Sequence, residues 1–162
     1  MTTKLPALLH VGIVVADMEV ASQDYRRRWG VETENVAEMT FSGVTYEGRE
    51  IDALTATYGF VRTGASEIEF IQPGSRPSPY ADFLDRNGGD GVHHLAYVVE
   101  RADAYLEQLA EAGAPPKVVL DAPLGAAGGR FVYVDGAAHG PMVELIELSE
   151  AQREEMAERN AF

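Results

Sequence analysis

The sequence predicts an α+β fold built from two tandem βαβββ modules. Three observations carry this. One order of elements (strand, helix, three strands) occurs twice along the 162 residues. The first strand of each half carries a histidine: His10 in Leu9-His10-Val11-Gly12-Ile13-Val14-Val15, and His94 in His93-His94-Leu95-Ala96-Tyr97-Val98-Val99. The last strand of each half carries a glutamate: Glu69 in Ile68-Glu69-Phe70-Ile71-Gln72-Pro73, and Glu144 in Val143-Glu144-Leu145-Ile146-Glu147-Leu148.

Residues 8–15 are apolar and β-branched, the pattern of a buried strand. Asp17 is suited to cap a helix over 18–29, with Val20, Tyr25 and Trp29 as inward positions and Gly30 as its stop. Glycines then divide the chain into strand-like pieces at 35–41, 51–58 and 67–72. Residues 75–91 read as a linker with a short helix near 80–86. The order restarts with a strand over 92–99 and a helix over 102–112, with Ala102, Leu106 and Leu109 on one side and Gly113 at the stop. Strands follow at 117–120, 130–134 and 142–148, with a Gly/Ala loop at 125–129. Ser149 and Gln152 form a capping-box signature for a charged helix to 159. The expected organisation is a module over 1–74, the linker 75–91, a module over 92–148 and a helical tail over 149–162. A half of about 60 residues is marginal alone, so the halves are expected to complete one core.

A hydrophobic content of 46% is enough for a real core. A net charge of −13 argues against nucleic acid and an anionic membrane surface as partners, since both call for clustered Lys and Arg. No apolar run reaches about 18 residues, and Met1-Thr2-Thr3-Lys4-Leu5-Pro6 lacks a long apolar h-region, so no secretory signal is expected. The absence of cysteine excludes disulfides and thiolate ligands, and a cytoplasmic setting is expected.

If the first and last strands of each half are neighbours, His10, Glu69, His94 and Glu144 converge on one centre. Two nitrogens and two oxygens suit Co, Ni, Mn, Zn or Fe and suit Mg less well. Each residue has a simpler reading. A histidine in an apolar strand is commonly structural, and a strand glutamate such as Glu147 commonly faces solvent. The duplication favours the ligand reading. It also selects His94 over His93, which by alternation points to the other face, and it leaves His139 as a solvated loop residue.

Over residues 8–148 the chain resembles the vicinal oxygen chelate superfamily of glyoxalase I, methylmalonyl-CoA epimerase, extradiol dioxygenases and bleomycin-resistance proteins. Paired βαβββ modules in that superfamily form a cupped mixed sheet around a metal. The most specific stretch is Ser78-Pro79-Tyr80-Ala81-Asp82-Phe83-Leu84, followed by Gly88-Gly89 and Gly91-Val92-His93-His94-Leu95-Ala96. It resembles the module junction of methylmalonyl-CoA epimerases. Gly128-Gly129-Arg130-Phe131-Val132-Tyr133 and the strand around Glu144 resemble their closing strands. The resemblance implies His10, His94 and Glu144 as metal ligands, with Glu69 at the fourth position, where glyoxalase I has Glu and some epimerases have Gln.

It also implies metal-assisted proton abstraction next to a carbonyl, most suitably in a methylmalonyl-CoA-like thioester. Glu144 and Glu69 are the candidate bases, and Glu47 is a looser match to a third carboxylate that the epimerases use. Arg26, Arg27, Arg28, Arg130 and Lys117 are candidate phosphate contacts for an acyl-CoA. The alternatives are a glyoxalase I-type lyase, an Fe(II) ring-cleaving dioxygenase using His10, His94 and Glu144, and a non-catalytic binding or resistance protein. The last would line its cup with Trp29, Tyr46, Tyr58, Phe60 and Tyr97. The resemblance further implies a homodimer.

Overall fold

A computed structural model describes residues 6–113, 115–126, 128–136 and 140–159. Module one opens with β1 (Leu8–Val14) and α1 (Met18–Trp29), followed by β2 (Glu34–Phe41), β3 (Val44–Tyr46), β4 (Arg49–Ile51), β5 (Leu54–Arg62) and β6 (Glu67–Pro73). The linker carries α2 (Pro79–Asn87). Module two is β7 (Gly91–Val99), α3 (Ala102–Glu111), β8 (Val118–Pro123), β9 (Arg130–Val134) and β10 (Met142–Glu147), and α4 (Glu150–Arg159) ends the described chain.

All ten strands form one curled mixed sheet in the order β2-β5-β6-β1-β7-β10-β9-β8-β3-β4. The duplication is visible in that order. β1 runs parallel to β6 and β7 parallel to β10, and the two modules join through the antiparallel pair β1–β7. The expected α+β fold of paired modules is therefore present. One feature departs from the repeat. The hairpin β3–β4 leaves module one and pairs through β3 with β8, on the far edge of module two. The sequence reading missed it because residues 44–51 supply only two three-residue strands around Glu47-Gly48.

The sheet buries both faces. Its inner face carries the main apolar cluster, including Val14, Tyr58, Ile71, Tyr80, Ala96, Tyr133 and Ile146. Its outer face packs Ile13, Ile68 and Phe70 under α1 and Val132, Val134 and Leu145 under α3. Helix α2 lies against β1, β6 and β7. Its Tyr80 is fully buried. The phenol accepts a hydrogen bond from Tyr58 of β5 (3.1 Å) and shares another with Tyr133 of β9 (2.9 Å), tying one module to the other.

Helix ends follow the capping signals. Asp17 accepts from Val20 N (3.0 Å), and Gly30 closes α1 in the left-handed region at φ 67°. Ser149 N donates to Gln152 Oε1 (2.8 Å), and Gln152 N donates to Ser149 Oγ (3.3 Å), completing the capping box of α4. The inward face of α1 differs from expectation. Met18 is buried and Tyr25 stacks edge-on against Phe70, whereas Val20 is 62% and Trp29 72% exposed. The helix buries one narrow stripe, and Trp29 at its last position lies off that stripe. Among the described residues no helix is long and apolar enough to cross a membrane.

Candidate metal centre

The four predicted ligands meet on the inner face where the two modules join. Strand alternation puts His10 on that face with Gly12 and Val14, Glu69 with Ile71, and Glu144 with Met142 and Ile146. All four are buried: His10 at 6% exposure, Glu69 at 8%, His94 at 0% and Glu144 at 5%.

Their donor atoms converge. His10 Nε2 lies 3.0 Å from His94 Nε2. Glu144 Oε2 is 2.9 Å from His10 Nε2 and 3.1 Å from His94 Nε2. Glu69 Oε2 is 3.4 Å and 3.6 Å from the same two nitrogens. Ligands bonded at about 2.1 Å to one ion at right angles stand about 3.0 Å apart, so these spacings fit a single cation. A second observation agrees. Glu144 Oε2 is fully buried and, despite those short distances, has no aligned hydrogen-bond partner. A buried carboxylate oxygen without an aligned donor is what a cation site requires. The donor set of two imidazoles and two carboxylates suits a transition metal.

The local sequence builds this convergence through a duplicated irregularity. In the β1–β7 register, Leu8 faces Tyr97 and His10 faces Ala96, leaving Leu9 as an extra residue. Gly12 faces His94 and Ile13 faces Val92, leaving His93 as the matching extra residue. Each candidate ligand histidine thus follows a β-bulge, a device that re-aims side chains. Leu9 consequently packs into the inner cluster. His93 does the same, which overturns its expected orientation. Its Nδ1 lies 2.9 Å from Nδ1 of His94, and its ring contacts Tyr80, Phe83 and Tyr133. Alternation across the strand failed there because the bulge interrupts it.

Gly12 makes room for the site. A Cβ at that position would lie 2.0 Å from Cε1 of His94. Three residues beyond Glu69 and Glu144, the outward side chain supports a helix. Gln72 Oε1 accepts from Met18 N (2.7 Å) at the start of α1, and Glu147 Oε2 accepts from Ala102 N (2.9 Å) at the start of α3. Glu147 lies on the opposite face from Glu144 as expected, but as a helix cap for α3, whose N-cap Arg101 provides no side-chain bond.

Electrostatics match the geometry. Burial alone would lower His94, but the adjacent Glu144 and Glu69 outweigh it and hold the imidazole up at about 9. His10 is raised by the same balance of burial against Glu69 and Glu144. Burial opposes ionisation of Glu144, but the two imidazoles prevail and keep it well below the usual carboxylate range. For His93, burial and its neighbour His94 outweigh the pull of Glu144 and push it down to about 3. Desolvation raises the phenols of Tyr58, Tyr80 and Tyr133.

The remaining candidates sit elsewhere. Glu47 occupies the β3–β4 turn at φ 49° and is paired with Lys117 Nζ at 2.8 Å. Arg26 pairs with Glu32, while Arg27 and Arg28 pair with Asp24, on α1 and so on the outer side of the sheet. Arg130 pairs with Asp103 and Asp121. Of the proposed cup aromatics, Tyr46 and Tyr58 are buried in the inner cluster and Phe60 packs against it. Trp29 is on the outer helix, and Tyr97 shares the outward register of Val99. His139 lies outside the described residues. Sequence reasoning overlooked Gly12, Tyr80 and Tyr133 as parts of the site. Gly12 was visible as a glycine inside a strand, a sign of close approach.

Comparison with known proteins agrees with this architecture. Residues 9–134 match the glyoxalase/bleomycin resistance protein/dioxygenase superfamily, and the chain belongs to it. Within that superfamily it is 32% identical to an ethylmalonyl-CoA/methylmalonyl-CoA epimerase of Cereibacter sphaeroides over 142 residues, covering 87% of this chain and 97% of the relative. The crystal structure of methylmalonyl-CoA epimerase from Mycobacterium tuberculosis matches with a TM-score of 0.65 and 25% identity, covering 95% of this chain and 96% of that one. A Streptomyces coelicolor methylmalonyl-CoA epimerase variant in complex with 2-nitronate-propionyl-CoA matches with a TM-score of 0.64 and 22% identity, covering 91% and 97% of the two chains.

Proposed function

We propose that this protein is a metal-dependent epimerase that inverts the α-carbon of a methylmalonyl-CoA-like acyl thioester. The observation that supports proton transfer rather than oxygen chemistry is the convergence of a second carboxylate, Glu69, on the two histidines and Glu144. The 32% identity to an ethylmalonyl-CoA/methylmalonyl-CoA epimerase over most of both chains supports the substrate class.

His10, His94, Glu69 and Glu144 would hold the cation. When bound, it would polarise the thioester carbonyl and stabilise negative charge that develops on its oxygen. The protein's own groups do the proton transfer. Glu69 stands farther from both imidazoles than Glu144 does and is the more exposed of the two carboxylates. It is therefore the better placed to take the α-proton, leaving the C–H electron pair in the substrate enolate. Inversion then needs an acid on the opposite face; Glu47, once released from Lys117 and protonated by solvent, is the candidate donor, and loss of the Glu69 proton to solvent restores the protein with no net change in atoms or charge. The burial of the cluster keeps water from competing for the enolate.

The test is C2 proton exchange in deuterated water with methylmalonyl-CoA and ethylmalonyl-CoA, using protein loaded with Co or Ni. Deuterium incorporation with loss of stereochemical purity supports the reading. Absence of exchange with either thioester sinks it. A glyoxalase I-type isomerisation of a glutathione hemithioacetal uses the same donor set with a glutamate at the Glu69 position. Turnover of that substrate without acyl-CoA exchange would select it instead.

A further inference from the structure

His93 is unaccounted for by the four-ligand centre. It is buried at 1% exposure, adjoins a ligand in sequence and space, and its Nε2 has no hydrogen-bond partner. The geometry points to His93 as a positioning residue: its Nδ1 accepts the Nδ1–H of His94 and so fixes His94 with Nε2 bare for the metal. The inference rests on the metal-centre reading above.

Nε2 is the atom of His94 that faces His10 and Glu144, so Nε2 is the ligand atom. A neutral imidazole with a bare Nε2 carries its proton on Nδ1. That N–H meets His93 Nδ1 at 2.9 Å. His93 can accept there only if its own proton is on Nε2, the atom left without a partner. The orphaned donor is thus a consequence of the tautomer the ligand demands. Tyr80, Phe83 and Tyr133 stand edge-on around the His93 ring at 5.4, 5.3 and 5.3 Å between centroids and hold its plane. The arrangement exists because the bulge turns His93 inward.

Metal-bound histidines commonly donate to a carboxylate, which raises their basicity. A neutral imidazole acceptor orients His94 without adding negative charge. The centre already holds two carboxylates, so the cation would keep more of its pull on a substrate carbonyl.

The test uses the full chain with cobalt(II), measured by isothermal titration, in wild type, His93→Leu and His93→Gln. His93→Leu is expected to weaken cobalt binding about 10- to 100-fold while the metal-free protein melts at or above the wild-type temperature. His93→Gln, whose side-chain carbonyl can accept, is expected to recover most of the affinity. In zinc-loaded protein, the His94 Nδ1–H should give a downfield proton resonance that His93→Leu abolishes. Equal cobalt affinity in wild type and His93→Leu overturns the inference alone. So does loss of affinity in both variants together with a lower metal-free melting temperature, which marks a packing role. A wild-type protein that binds no divalent metal overturns the metal-centre reading along with it.

Discussion

Alanine at position 12 would put a methyl carbon 2.0 Å from Cε1, 2.3 Å from Nε2 and 2.5 Å from Nδ1 of His94. An unstrained carbon contact needs about 3.5 Å, so the imidazole would have to retreat by roughly 1.5 Å. Metal–ligand distances tolerate about 0.2 Å, so His94 would cease to be a ligand. Losing a partner that merely orients a ligand costs about 10- to 100-fold in metal affinity. Losing the ligand itself should cost at least the upper end, about 100-fold. The backbone at Gly12 is not in the left-handed region, so alanine is conformationally acceptable there. The remaining cost is overpacking, about 1–3 kcal/mol. Gly12→Ala should therefore fold, with wild-type circular dichroism and a modestly lower melting temperature. Cobalt(II) titration then measures the affinity. Binding within a few fold of wild type would refute the reasoning, because His94 could then serve the metal from a displaced position.

Three further outcomes are expected. Glu69→Gln should retain metal through His10, His94 and Glu144 but lower C2 proton exchange about 100- to 10,000-fold, the range of a lost general base; unchanged exchange rates would remove Glu69 from the chemistry. The metal-free protein should lose stability as pH rises through about 9, because His94 is raised from 6.5 to about 9 and its protonated form is favoured in the folded state. That contribution is fully present below about 6.5, and metal affinity should rise over the same window as the proton leaves; a melting temperature flat from pH 6.5 to 9 without metal would contradict this. Tyr80→Phe should lower unfolding free energy by about 1–3 kcal/mol in urea denaturation, since it strands the buried Tyr58 hydroxyl that donates to it.

The convergence of the His/Glu cluster was legible because duplication compares the chain with itself. His10 and His94, or Glu69 and Glu144, are each ambiguous alone, and the repeat supplies the missing context. Helix limits were legible wherever the cap is local, through side chains at Asp17 and the Ser149–Gln152 pair and through left-handed backbone at Gly30. What failed depended on partners distant in sequence. The β3–β4 hairpin is too short to show a period, and it is stabilised by pairing with β8. The orientation of His93 follows from a bulge defined against Gly12 on another strand. Glu147 had the charge of a solvent-facing residue but stands where α3 needs an acceptor. Tyr80 read as part of a linker, and its role became visible only when Tyr58 and Tyr133 met it from opposite modules.

The proposed chemistry depends on one divalent ion held jointly by both modules. Cobalt(II) titration followed by X-ray absorption of the loaded protein tests it most directly. The prediction is one cobalt per chain, with two imidazoles and carboxylate oxygens at about 2.1 Å, and loss of one imidazole signal in Gly12→Ala. No saturable binding, or a bound ion with no imidazole in its coordination shell, would contradict it.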